Sequence, residues 1–459
     1  MSTARTRSGR IETTLWPYLD RVVESWAVPG LAVAVVHDGN QILTSTYGSR
    51  DVANGQPVTA DSLFHLASVS KVFVATAALQ LAEDRTIDLD APIPTYLPDL
   101  AWADPRAGEI TVRHLLSHRS GLGDVSGDYG WHEPELDDEA LGRFAERVAG
   151  WRLENDPGAT FAYSNAGFEL LGHLIATVGG RTFESHLKER VLDPAGMRSS
   201  TFMRAEVPTE HAALPHLGLP LQVVPGAYPY TRRHSTSSTL HSSAAELAHW
   251  IVINLAGGTG VLNPATHRQM WEPVVTTDWG GMNEQMALGW FWGPYAGHQV
   301  VNHHGEDPGF LSSLAIVPEL GAGVVVLANS NTAPTFTITK AALSVLAGED
   351  PGDLAIGHRG GRPVVAGVEH AHTEAEALRR HAEHAPELAT AQQAEPRAGR
   401  QGTMRVLHAT SPAGTRGAWR TRRPRPAAPR FISVAPPSTW PTRSAATCSG
   451  RDARRARHR

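Results

Sequence analysis

Cysteine is nearly missing from this chain: Cys448 is the single one in 459 residues, so neither an intrachain disulfide nor a cysteine-built metal cage can form. Long apolar runs are missing too. No stretch approaches the roughly eighteen apolar residues that span a bilayer, and no apolar h-region follows the Arg-containing opening, Met1 to Arg10. The expectation is a protein without a membrane span, residing in the cytoplasm. Further absences remove whole enzyme classes. Gly-x-Ser-x-Gly, the nucleophile turn of one large group of serine enzymes, does not occur. Gly121-Leu122-Gly123 and Gly321-Ala322-Gly323 lack the third glycine of a dinucleotide site, and no glutamate follows His114 to make a zinc-protease motif with His118. Neither a cofactor nor a metal is expected. Lysine is the scarcest charge, present only as Lys71, Lys188 and Lys340.

What is present divides in two. Residues 351–459 hold 19 Arg and 8 acidic residues, a balance of +11, which leaves −16 for residues 1–350. The C-terminal part loses hydrophobic periodicity and fills with Pro, Ala and Arg, as in Arg422-Arg423-Pro424-Arg425-Pro426. Such a segment buries too little apolar surface to offset its chain entropy, so 351–459 is expected to be a disordered tail, with a short helix around Thr373 to Glu383. A basic tail can bind nucleic acid; no nucleic-acid contact is expected of the folded part, residues 1–350.

Within 1–350, Ile11, Leu15, Tyr18, Leu19, Val22, Val23 and Trp26 fall at helical spacing. A hairpin is expected next, from the apolar run Leu31 to Val36, the turn Asp38-Gly39 and a return over Gln41 to Tyr47. Strands are expected again at Val300 to Val301, Phe310 to Ile316 and Gly323 to Leu327, before a helix from Thr335 to Ala347. The middle, 72–290, reads as helices and long loops. Strands at both ends bracketing a helical middle imply one sheet built from the two termini, with a cleft where the helical region meets it. The acidic stretch Trp131 to Glu139 either rims that cleft or leads into a helix around Leu141 to Val148. Trp271, Trp279, Trp290 and Trp292, with Tyr228 and Tyr230, are split between core and pocket lining.

The chemistry concentrates at Ser68-Val69-Ser70-Lys71. Residues three apart share a helix face, so the Ser68 hydroxyl and the Lys71 amine can meet. A serine hydroxyl is a poor nucleophile until a base takes its proton, and a neutral lysine is such a base. A lysine in the first turn loses its charge more easily, because the positive end of the helix dipole and partial burial both disfavour the cation. Two later motifs complete the set: Tyr163-Ser164-Asn165 after the turn Pro157-Gly158, and His303-His304-Gly305 shortly before Pro308-Gly309-Phe310.

In order and context, Ser68-x-x-Lys71, Tyr163-x-Asn165 and His303-x-Gly305 resemble the three active-site elements of the serine β-lactamase and penicillin-binding-protein superfamily, in particular its class C-like branch. The phrases around them are similar as well: Val28-Pro29-Gly30-Leu31-Ala32-Val33, His114-Leu115-Leu116-Ser117-His118-Arg119-Ser120-Gly121-Leu122, Pro194-Ala195-Gly196-Met197 and Val324 to Asn329. The resemblance covers roughly 11–347 and leaves the tail aside. It implies the β-lactamase/DD-peptidase fold, an α/β architecture of the α+β type. In it, an antiparallel sheet from the N- and C-terminal parts is flanked by helices, with a mainly helical insertion.

The resemblance also implies a metal-independent acyl-enzyme mechanism on a small ester or amide. Ser68 attacks the carbonyl, Lys71 serves as base, Tyr163 relays a proton to the leaving group, and the backbone amides of Ser68 and Glu306, beside Gly305, hold the oxyanion. Asn165 is expected to hold the lysine amine or a substrate amide, and His303 to face a substrate carboxylate or the tyrosine hydroxyl. Two departures from the pattern shape the expected substrate. His303 stands where most β-lactamases have lysine and is a weaker clamp for a carboxylate, and Glu306, where glycine is frequent, repels anions. Both favour an esterase or D-amino-acid amidase over a D-Ala-D-Ala carboxypeptidase or weak β-lactamase. A non-catalytic binding or assembly module with the same fold is the rival of another class.

Overall fold

A computed structural model describes residues 6–125, 129–218, 221–224, 226–352 and 432–433. The expected tail, and the helix expected within it, lie outside the described residues apart from Ile432 and Ser433, which pair antiparallel with Thr44 and Leu43.

Six long antiparallel strands form the centre of a ten-stranded sheet. They are β1 (Gly30–His37), β2 (Gln41–Asp51), β3 (Phe291–Tyr295), β4 (His298–Asp307), β5 (Phe310–Val317) and β6 (Ala322–Ala328). Their order across the sheet is β2-β1-β6-β5-β4-β3, so the N-terminal hairpin zips onto the C-terminal strands along β1 and β6. The expected sheet built from both termini is what forms.

Alternation along the strands explains why the run from Leu31 to Val36 is apolar without interruption. Leu31, Val33 and Val35 join one core with Ile11, Leu15 and Leu19 of the N-terminal helical segment and with Ile338, Ala342 and Val345 of the C-terminal helix. Ala32, Ala34 and Val36 join the other, which fills the helical insertion. Both faces of the sheet are therefore dry. The helices that frame the site and the core include α1 (Trp16–Trp26), α2 (Ser70–Glu83), α3 (Val112–Leu116), α4 (Ala140–Ala149), α5 (Asn165–Gly179), α6 (Ala244–Leu255) and α7 (Thr335–Ala347), with further short helical segments between them.

Helix α2 is the axle of the insertion. Every residue from Ser70 to Leu81 is buried, which suits a helix that is apolar on all sides. Phe73 stacks on Trp250 of α6 at 4.5 Å, which ties α2 to that helix.

Two features add to the expectations. Strand β3 extends the sheet beyond β4 although Gly293-Pro294 interrupt its apolar pattern; Pro294 faces Gln299 near the end of the ladder, where a missing N–H is tolerated. The acidic stretch before α4 is an ion-pair hub, with Glu135 accepting from Arg143 at 2.7 Å and from Arg147 at 3.1 Å. No helix among the described residues is long and apolar enough to cross a membrane.

Candidate active site

The site begins with a strained turn. Leu66 donates its N–H to the carbonyl of Leu240 (2.8 Å), and its own carbonyl accepts from Ser312 Oγ (2.5 Å). Ala67 then adopts φ of +46°, a left-handed conformation that costs a residue with a Cβ about 1–2 kcal/mol. A single 3₁₀ turn, Ala67–Val69, leads into α2. The result is a partly exposed Ser68 between buried neighbours.

Lys71 lies one turn on and is fully buried. Its Nζ donates to Ser68 Oγ and to the carbonyl of Ser237, both at 2.9 Å. Burial lowers its pKa from the ordinary lysine value to about 8, against the opposing pull of the Glu169, Asp124 and Asp307 carboxylates. Near neutral pH the amine is thus close to giving up its charge while already in contact with the hydroxyl.

Tyr163 lies beside the same pair; burial pushes its pKa far above the ordinary value, with Ser68 acting in the opposite direction. The Tyr163 ring stacks on His118 at 4.2 Å and passes 5.1 Å from Lys71 Nζ. His118 is held in turn by the N–H of Ser164, which it accepts at Nδ1 (3.1 Å). His114 and His118 therefore do not form a pair. His114 caps α3 at Thr111, and His118 leaves the helix at φ of +52° to support the tyrosine.

Strand β4 brings the third motif. His303 Nδ1 lies 2.8 Å from the carbonyl of His304, which can only accept, so Nδ1 carries the proton and Nε2 is an acceptor. Nε2 is buried and unpartnered among the described residues. Burial, then the Lys71 charge, hold the imidazole pKa well below its ordinary value, so the ring is neutral. Gly305 is where β4 crosses the serine turn: a Cβ there would stand 2.2 Å from the carbonyl oxygen of Leu66 and 2.9 Å from the nitrogen of Ser68. Glu306 follows, with one carboxylate oxygen 3.3 Å from Asn331 Nδ2.

Asn165 opens α5 next to these groups, but Lys71 is not its partner. Its Nδ2 donates to Asp124 Oδ2 (3.0 Å) and to the Tyr129 hydroxyl (3.1 Å). The lysine spends its protons on Ser68 and Ser237 instead.

Several functional neighbours carry no motif of their own. Glu169, one turn along α5 from Asn165, is completely buried and accepts from the backbone N–H groups of Thr236 and Ser237, each at 3.2 Å. It thereby fixes the segment whose carbonyl receives the Lys71 proton. A lone carboxylate amid Phe168, Leu170 and Leu171 was the available signal. The Ser237 carbonyl had none, since any residue supplies one. His65 and Asp307 form a second buried pair at 2.6 Å. Burial raises the Asp307 carboxyl to about 8 and lowers the His65 imidazole to about 3, so the two share one proton.

The aromatic residues divide as well. Trp290 is wholly buried, and Trp271 packs edge-on against it at 6.0 Å. Trp292 packs on the core. Tyr230 points its hydroxyl at the carbonyl of Phe202 (3.3 Å), and Tyr228 shares a hydrogen bond with His241 Nε2 (3.0 Å). Trp279 alone among the four tryptophans is largely exposed, beside Tyr163.

A partly exposed serine touches a buried lysine of lowered pKa beside a tyrosine, at the seam of an antiparallel sheet and a helical insertion. The β-lactamase family profile matches residues 19–349, and the chain belongs to that family of serine hydrolases. Penicillin-binding protein 4 of Amycolatopsis lactamdurans is 29% identical over 322 residues, 67% of this chain and 83% of that protein. The chain spans 62% and 60% of two further curated relatives. Among solved structures, the octameric penicillin-binding protein homologue from Pyrococcus abyssi superposes with a TM-score of 0.67 at 26% identity, over 74% of this chain and 78% of that one. The D-amino acid amidase from Ochrobactrum anthropi shares the fold, with a TM-score of 0.63 at 23% identity over 81% and 99% of the two chains.

Proposed function

We propose that this protein hydrolyses small esters or amides that are uncharged around the scissile bond, through an acyl-Ser68 intermediate. The observation that carries the reading is the 2.9 Å contact between Ser68 Oγ and a buried Lys71 whose pKa falls to about 8. Neutral Lys71 takes the Ser68 proton as Oγ bonds to the carbonyl carbon. The oxyanion then rests between the N–H groups of Ser68 and Glu306, which β4 holds against the serine turn. Tyr163, kept protonated by burial, gives its proton to the leaving atom and is reprotonated from Lys71. Water releases the acyl group by the reverse relay. On this assignment Lys71 is the base and Tyr163 the acid, because burial lowers the pKa of the amine and raises that of the phenol.

His303 supports the choice of substrate. A neutral imidazole whose free nitrogen only accepts cannot clamp a carboxylate. This favours esterase or D-amino-acid amidase activity over D-Ala-D-Ala carboxypeptidase or β-lactamase activity.

Intact-protein mass spectrometry after exposure to a fluorophosphonate tests the reading. One adduct per chain, mapped to the Ser68 peptide, is the expected result, with far slower acylation by benzylpenicillin. A folded chain that takes no adduct would leave a non-catalytic binding module.

The pH profile has a definite sign. Only uncharged Lys71 accepts a proton, so kcat/KM should climb with pH and level off above about 8. Glu169 raises the Lys71 pKa, so Glu169→Gln should move the rising limb to lower pH. A limb that stays in place, measured on a folded variant, would remove Glu169 from the electrostatics of the site.

A further inference from the structure

Three large apolar side chains are substantially exposed among the described residues: Val52, Leu136 and Trp279. Only Trp279 lies against the site. Its indole stacks on Phe291 at 5.0 Å with 26° between the planes, tilts over Tyr163 at 5.4 Å, and meets Phe161 edge-on at 5.6 Å. Phe291 is itself nearly parallel to Tyr163, at 6.4 Å and 11°. The four rings make a continuous wall running outward from Tyr163, and Trp279 remains 40% exposed at its outer end.

The wall is built, not accidental. Thr277 donates its N–H to the Glu284 carbonyl (2.8 Å), closing the loop, and Thr277 Oγ1 accepts the N–H of Trp279 (3.1 Å). Buried Met282 anchors the far side, and its carbonyl accepts from Asn302 Nδ2 of β4 at 2.7 Å. The reversal passes through Gly280 and Gly281, both at positive φ. A loop tied to β4 at one end and resting on Phe291 of β3 holds its indole in a set position. At the inner end of the wall, His303 lies 5.4 Å from Phe291, ring to ring, with its buried Nε2 still lacking a donor.

We infer that Trp279, backed by buried Phe291 and flanked by Phe161, forms a subsite for an apolar, preferably aromatic, group carried on the leaving-group side of the substrate. This rests on the hydrolase reading given above. The side follows from chemistry: the leaving atom has to meet the Tyr163 hydroxyl to receive its proton, so whatever is attached to that atom extends along the surface beside Tyr163. That surface is the ring wall. The preferred substrates are thus aryl or arylalkyl esters and amides, selected by what departs and not by what acylates Ser68.

Two acetate esters with leaving groups of similar acidity separate aromatic contact from intrinsic reactivity: phenyl acetate and hexafluoroisopropyl acetate. The wild-type chain is expected to favour phenyl acetate. Trp279→Ala should reduce kcat/KM for phenyl acetate by about 3–10-fold relative to hexafluoroisopropyl acetate, the scale of a lost aromatic contact, and Trp279→Phe should restore part of the preference. With hexafluoroisopropanol as the constant leaving group, acetate, butyrate and phenylacetate esters should respond alike to Trp279→Ala. Equal losses on the two acetates, or a loss that tracks the acyl group, would overturn the subsite while leaving the hydrolase reading intact. Failure of the wild-type chain to turn over either ester in a Ser68-dependent way would overturn both.

Discussion

Ser68→Ala should lower kcat for ester hydrolysis by a factor on the order of 10⁵–10⁶, leaving only what oriented binding and the oxyanion amides provide. The informative part is the double variant. Lys71→Met keeps the length of the buried stem but removes the amine, and alone it should cost about 10²–10⁴-fold, the range of a lost general base. Combined with Ser68→Ala it should cost almost nothing more, because Nζ and Oγ are partners in one proton transfer across 2.9 Å. Additive losses, measured as kcat/KM on p-nitrophenyl acetate, would mean that Lys71 contributes to something other than activating Ser68. Folding should survive the serine change, since Oγ is partly exposed and its deletion leaves no buried void.

Gly305→Ala should also be strongly damaging although it removes no reactive group. The added Cβ would sit 2.2 Å from the Leu66 carbonyl oxygen, 2.5 Å from Ser312 Oγ and 2.9 Å from the Ser68 nitrogen. Ser312 Oγ can turn away only by giving up its bond to Leu66, and the two backbone atoms cannot yield separately. Strand β4 has to move off the serine turn, which pulls the two amides proposed to hold the oxyanion out of register. Losing one such donor costs about 2.7–4 kcal/mol, or roughly 10²–10³ in kcat. The predicted pattern is a large fall in kcat with KM little changed and near-native circular dichroism. Retention of more than a tenth of the activity would show that β4 does not set the oxyanion geometry.

The parts of this site that were legible in the sequence are those with local spacing. Ser68 and Lys71 announce each other because three residues make nearly one helical turn, and the N-terminal hairpin is written in the run before Asp38-Gly39 and its return. Resemblance added the two later motifs. What stayed hidden depends on contacts made only in the folded chain. The Ser237 carbonyl is a backbone group without a residue preference. His118 reads as one turn residue among twenty-three histidines until its positive φ brings it under Tyr163. Trp279 is indistinguishable by letter from Trp290, yet one is 40% exposed at the site and the other is sealed in the core. Of the two partners expected for Asn165, the lysine amine or a substrate amide, the lysine is not met, because motif order carries adjacency but not the competing pull of Asp124 and Tyr129.

The order of strands across the sheet also bears on how the chain acquires its structure during synthesis. Ala34 pairs with nearby Thr44 on one side and with Val325 on the other. Until the ribosome has delivered β6, the first hairpin exists with one apolar edge unpaired, and Ser68 and Lys71 are made long before the strand that carries His303 and Gly305. Such widely separated pairings make for high contact order and slow folding, with a nascent edge open to association. The proposed nucleophile is therefore made well before the strands that would make it competent.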